Sequence, residues 1–286
     1  INHTDVDTGM IQGRIHQIIF ADLFMTKKLR YGEYDFDFTP EVDRLDGGGG
    51  LRLVVLTAAA DPMERAAQHV LMKSQGQAVL VLTGASYYEN LENAMKIRQY
   101  VKQQNYAKLP RSVENIIRGY QDEAARYEKE ARDALAAALL TAEIYVDGEA
   151  VTATGRDVKE RLTQTLESLV RRVYHKLDLI TKNIKSDDEL RALLTGADAI
   201  LPGMDSPNSD AAKNMEDYLR MQEAERRPTS MADVQSRYQA LPFGWREIDI
   251  AYVAALLIVQ QRATVKYGGE TIRPEHPQLP NFLRRK

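Results

Sequence analysis

The sequence has 286 residues, a formal net charge of −3, 44% hydrophobic and 28% charged residues, and no cysteine. The length predicts two domains or three with real apolar cores, and the missing cysteine excludes a disulfide framework, thiolate metal sites and a cysteine nucleophile. No apolar run approaches the roughly 20 residues that cross a bilayer, and no signal peptide is present, so a cytoplasmic setting without a membrane partner is expected. The near-neutral balance leaves any nucleic-acid contact to a local basic patch. A start at Ile1 without methionine and an end at Arg284-Arg285-Lys286 are expected of a stretch cut from a longer polypeptide.

Ile15, Ile18, Ile19, Leu23 and Phe24 recur at three- and four-residue steps, which predicts an amphipathic helix over 11–29. Tyr34, Phe36 and Phe38 then alternate with acids, the pattern of a half-buried strand or of an aromatic arm laid on a neighbour. Gly47–Gly50 read as a flexible joint or a shortened loop. Leu51–Ala58 and Gln77–Gly84 are the strongest strand candidates, and the helix between them, with Asp61 as N-cap and Pro62 at its first position, makes a βαβ unit. A helix over 89–104 follows.

Pro110 and Ser112 announce the longest helix, to about Glu143, with Val113, Ile117, Tyr120, Ala124, Tyr127, Ala131, Ala134 and Ala138 in a heptad-like stripe suited to antiparallel packing. Asp147-Gly148 predicts a tight hairpin turn between Ile144–Val146 and Ala150-Val151. Helices are expected over 156–183 and, with Ser186 as cap, over 187–194; the segment 201–210 reads as a linker before a polar helix over 211–226. At the end, Ser230 caps a helix through Tyr238, Pro242-Phe243-Gly244-Trp245 turns the chain, an apolar helix spans 246–261, and Gly268-Gly269 closes a hairpin. That order is the one expected at the end of a winged-helix domain.

No set of residues for a known chemistry is complete. No G-x-x-x-x-G-K-[ST] loop occurs, and Gly47–Gly50 has no lysine beside it. The five histidines are scattered without metal-ligand spacing. The acids Asp35, Asp37, Glu41, Asp43 and Asp46 lack the lysine-bearing strand of a nuclease, and no G-x-S-x-G is present. Catalytic, cofactor and metal residues are therefore expected to be absent. Contact with nucleic acid or a protein partner is expected at Arg246, Arg262, Lys266 and Arg273, with the tail Arg284, Arg285 and Lys286 adding to the patch. Phe243, Gly244 and Trp245 are expected to plug a core and set an inter-helix angle.

The segments RIHQIIFADLFMTKKLRYGEYDFDF, AEIYVDGEAV after a long charged helix, and LPFGWREIDIAYVAALL resemble the region behind the ATPase core in the BrxC family, and the resemblance runs from about Arg14 to Gly269. That family comprises large P-loop proteins of BREX bacteriophage-resistance systems, related to PglY of phage-growth-limitation systems. The resemblance implies a parent similar to AAA+ ATPases of the origin-recognition kind, with ATP and magnesium held in an ATPase portion absent from these residues, so no catalytic residue carries over. A longer polar loop is expected where the four glycines stand, and a replaced loop would account for them.

The expected fold class is mainly α with small β elements, an α+β chain combining a long-helix scaffold with a C-terminal winged-helix-like domain. The expected divisions are an α/β portion at 1–84, a helical domain with the long helix and hairpin at 85–200, a linker and polar helix at 201–229, and the winged-helix-like domain at 230–286. The expected role is a non-catalytic scaffold that links the ATPase to DNA or to other BREX components. Its expected partners are other BREX proteins, copies of itself, or double-stranded DNA; the alternative is a sequence-independent DNA-binding winged-helix module.

Overall fold

The computed structural model describes residues 6–103, 111–196 and 206–284. Backbone contacts divide the chain into two compact units, Ile1–Arg172 and Val173–Lys286. The expected linker falls partly at 201–205, outside the described residues, as does Pro110.

The first unit is built on a six-stranded mixed sheet, more extensive than the small β elements expected. Its strands are β1 (Lys28–Tyr31), β2 (Tyr34–Val42), β3 (Leu51–Leu56), β4 (Gln77–Val81), β5 (Glu143–Val146) and β6 (Glu149–Val151), adjacent in chain order. β2, β3 and β4 are parallel, whereas β1, β5 and β6 add antiparallel at the edges. Strands from both sides of residue 84 thus share one sheet. Every residue of β3 and β4 is buried, which is why both read as unbroken apolar runs. Val54, Leu56, Val79 and Val81 face one side, with Val70 of α2 (Ala67–Lys73). Leu53, Val55 and Leu80 alternate to the other side and are fully buried.

The predicted helix over 11–29 divides. α1 (Thr8–His16) passes into a π-helix (Gln17–Phe24) that keeps Ile18, Ile19 and Phe24 buried; Met25 then turns left-handed at φ 51°, and β1 begins three residues later. The helix placed after Asp61 starts late. The Asp61 carboxylate accepts from the Met63 amide and the Asp61 carbonyl from Arg65, so residues 61–66 form turns and α2 begins only at Ala67. Between the parallel β2 and β3 lie only residues 43–50, fewer than the dozen usual for such a crossover. Gly49 and Gly50 at positive φ reverse the chain there, and a Cβ on Gly47 would fall 2.6 Å from the Arg52 guanidinium. That guanidinium is buried and donates to the carbonyls of Arg44 and Leu45 and to Gln77 Oε1.

α3 (Ser86–Gln103) and α4 (Arg111–Thr141) form an antiparallel hairpin. Ile97 and Val101 pack on Ile117 and Ala124, and Arg98 grips Glu128 with two hydrogen bonds of 2.6 and 2.8 Å. The alanines of the stripe permit close approach of the helices, and Leu135 and Leu139 join it on the buried side. Asp147 and Gly148, both at positive φ, form the hairpin turn of β5 and β6. α5 (Val158–Val173) follows.

The second unit carries the helix, turn, helix and hairpin of a winged helix. Its elements are α6 (Asp187–Leu194), α7 (Ser209–Ala224), α8 (Met231–Gln239), α9 (Glu247–Val259), β7 (Val265–Tyr267), β8 (Glu270–Ile272) and α10 (Leu279–Arg284). The helix predicted over 156–183 stops at Val173 because its later amides have other acceptors. Lys176 donates to the Pro242 carbonyl, and Thr181 and Lys182 both donate to Asn208 Oδ1. Ser186 precedes α6 without a side-chain cap; the Glu189 carboxylate instead accepts from the Lys185 amide. α8 has the predicted cap, with Ser230 and Asp233 bonding reciprocally as a capping box.

Candidate interaction surface

α9 is the centre of the second unit. All ten residues from Asp249 to Ile258 are buried, and α6, α7, α8 and α10 pack on it. A helix apolar on every side belongs in a core. The helix that a winged helix would deliver to the major groove therefore has no open face along those residues.

The predicted contact residues fall into two groups. Arg246, at the N-cap of α9, donates from Nε and Nη2 to Asp249 at 2.7 and 3.0 Å and from Nη2 to the Ile184 carbonyl at 2.7 Å. Asp249 is completely buried and also accepts from the Ile184 amide and Asn183 Nδ2. Arg262 donates to Glu216 and to Gln260, and Glu216 takes two further bonds from Arg220. Arg284 bridges Asp187 and Glu247. These three arginines are intramolecular clamps whose guanidinium groups already face carboxylates, Arg262 from an exposed position. Lys266 on β7 and Arg273 after β8 are exposed and enter no ion pair among the described residues. Arg285 and Lys286 lie outside the described residues.

Sequence reasoning missed Glu216, which is 7% exposed within a helix that reads as polar. Its partner Arg262 stands 46 residues away, a separation that leaves no local signal. The bonds from Arg262 and Arg220 hold the Glu216 carboxyl below its ordinary value of 4.5. The stabilisation this gives is complete above that value and is lost as pH falls through the lowered native one. Urea unfolding followed by tryptophan fluorescence should therefore show a midpoint that falls on acidification below about pH 4.5, with a shallower fall in Glu216→Gln. Equal slopes in the two proteins would remove Glu216 from the acid response.

The aromatic turn sits under α8. Trp245 is 1% exposed, stacks on Tyr238 at 4.6 Å and donates from Nε1 to the Lys176 carbonyl; Phe243 meets both rings edge-on. Burial pushes the Tyr238 hydroxyl up to about 12. Gly244 has φ 65°, and a Cβ there would lie 2.6 Å from the Tyr174 ring. Glycine is thus required at this position.

Beside the hairpin lies a groove of about 640 Å³. Leu219, Met231 and Val234 form one wall, Leu257 lies at the base, and Val265 and Phe282 stand on the hairpin side, with Glu223, Arg227 and Lys266 among the charged lining residues. Tyr267, 55% exposed, stacks on Phe282 at 4.4 Å and fixes the hairpin to α10. Among the described residues, no group of three or more histidines and acids is placed to hold a metal ion, and no helix is long and apolar enough to cross a membrane.

No solved structure matches the chain. Two family models do: the BREX ATP-binding protein BrxC 4th domain with six-stranded beta sheet over residues 4–169, and the BREX ATP-binding protein BrxC winged helix-turn-helix domain over residues 176–286. Neither is an ATPase domain. The first matches the sheet β1–β6 in strand number, and the second covers the unit built on α9. The chain belongs to the BrxC family of BREX ATP-binding proteins and carries its fourth and winged helix-turn-helix domains.

Proposed function

We propose that these two domains form a non-catalytic scaffold and interaction segment in bacteriophage defence, linking the ATPase of a BrxC protein to other BREX components. In this reading the winged helix is a protein-contact domain, its partners are other BREX proteins or copies of itself, and the setting is the cytoplasm. ATP and magnesium belong to a different portion of the parent protein.

The observation that carries this reading is the enclosure of α9. Direct base readout needs a helix with an open face in the major groove, and here that helix is spent on the core. The carboxylates paired with Arg246, Arg262 and Arg284 offset three cations that a phosphate patch would otherwise use. A groove with an apolar floor and a polar, charged margin remains on the surface, suited to another protein.

A second reading, sequence-independent DNA contact through the hairpin, draws on the exposed Lys266 and Arg273. Fluorescence anisotropy with labelled duplex DNA at low and moderate salt separates the two. The protein-contact reading expects a dissociation constant weaker than roughly 10⁻⁴ M at physiological salt, with two cations supplying a salt slope of at most about −2. Micromolar, steeply salt-dependent binding that Lys266→Glu abolishes would transfer the role to DNA.

A further inference from the structure

The hairpin beside the groove is a sheet of two strands, and neither strand pairs with a further strand among the described residues. Tyr267 opposite Glu270 flanks the Gly268-Gly269 turn, and Lys266 opposite Thr271 is the next pair. In an antiparallel ladder closed by a two-residue turn, the flanking pair exchanges its bonds and the next pair does not. The backbone amide and carbonyl of Lys266 therefore point away from β8, and no other hydrogen bond engages them among the described residues.

The groove runs along this edge: residues 263–267 line it, and no residue of β8 does. Nor does the facing wall supply a strand. The connection from α7 to α8 has no strand residues, and Pro228 within it has no amide hydrogen to offer. An unpaired strand edge beside a groove lined partly by apolar side chains is a template for an incoming strand.

We propose that this groove receives an extended peptide segment of a partner protein, which adds to β7 as a third strand through the backbone of Lys266. Alternate side chains of the segment would then be apolar and enter the groove toward Leu219, Met231 and Leu257. Charge selects the segment further. Lys266 and Arg227 outnumber Glu223 along the groove, and Arg227 also faces Glu225, which leaves Lys266 as the cation without a carboxylate. The segment carries an acidic residue opposite it. An amphipathic helix would fill the apolar floor but leave the Lys266 backbone groups unpaired, so the open edge favours a strand. This inference rests on the protein-contact reading and names the chemistry of the partner.

The test uses the whole chain and a displayed library of random short peptides as the probe. Selected peptides are expected to alternate apolar residues and to include an acid. On binding, hydrogen exchange at the Lys266 amide of the wild-type protein should slow by about tenfold or more. Lys266→Pro removes the outward amide hydrogen while leaving the β7–β8 ladder intact, and should weaken the peptide by about tenfold or more, whereas Lys266→Ala should cost only a few-fold. Tryptophan fluorescence confirms that each variant is folded. Recovery of no peptide, peptides that bind Lys266→Pro as well as wild type, or binding without protection of the Lys266 amide would each overturn the added strand. Tight duplex binding lost in Lys266→Glu would instead overturn the protein-contact reading itself.

Discussion

Replacing Asp249 by alanine should lower the stability of the winged-helix unit by about 3–5 kcal/mol, because a buried charge pair loses one member. The carboxylate is fully buried and receives Arg246, the Ile184 amide and Asn183, so its removal leaves several donors facing an empty site. The whole sequence holds a single tryptophan, and it lies in this unit at 1% exposure. Its emission follows unfolding of the second unit without interference from the first. The urea midpoint in Asp249→Ala should fall by more than about 1 M, with Asp249→Asn intermediate because one acceptor oxygen survives. An unchanged midpoint would mean that the clamp adds nothing to stability and that Arg246 is held for another reason.

Ala251→Arg and Ala255→Arg carry the second large effect. The two alanines stand one turn apart on α9, and neither is exposed. On a groove-reading helix with an open face, an added arginine tightens DNA binding and leaves the fold intact. On α9 the guanidinium has to enter a packed core without a carboxylate, which combines overpacking with an unpaired buried charge. A loss above about 4 kcal/mol is expected, enough to remove cooperative unfolding from a marginal domain. Ser236→Arg, at an exposed position of α8, should remain folded and serves as the control. A folded Ala255→Arg protein with stronger duplex binding would refute the enclosure of α9 in solution and restore the major-groove reading.

Much of the second unit was legible residue by residue. The Ser230-x-x-Asp233 cap, the Gly268-Gly269 turn and the apolar run of α9 are local patterns, and each forms where its own chemistry directs. The βαβ order of β3, α2 and β4 and the Asp147-Gly148 turn were legible for the same reason. The extent of the sheet was not. β5 pairs antiparallel with β4 across a chain excursion that includes α3 and α4, and nothing within β5 specifies which edge it joins. The end of α5 was hidden too, since the acceptors that redirect residues 176–182 are Pro242 and Asn208, far along the chain.

The candidate contact residues make the same division sharper. The sequence by itself determined that α9 is too apolar to face water and that the chain lacks a P-loop. An arginine, however, has the same composition and the same local spacing whether it meets a phosphate or an internal carboxylate. Only the tertiary structure decided that Arg246, Arg262 and Arg284 are clamps, because Asp249, Glu216, Asp187 and Glu247 are brought to them by packing. It also decided that, among the described residues, β7 keeps an open edge beside a groove, since an edge is a property of what fails to pair with a strand and is not written in the strand itself.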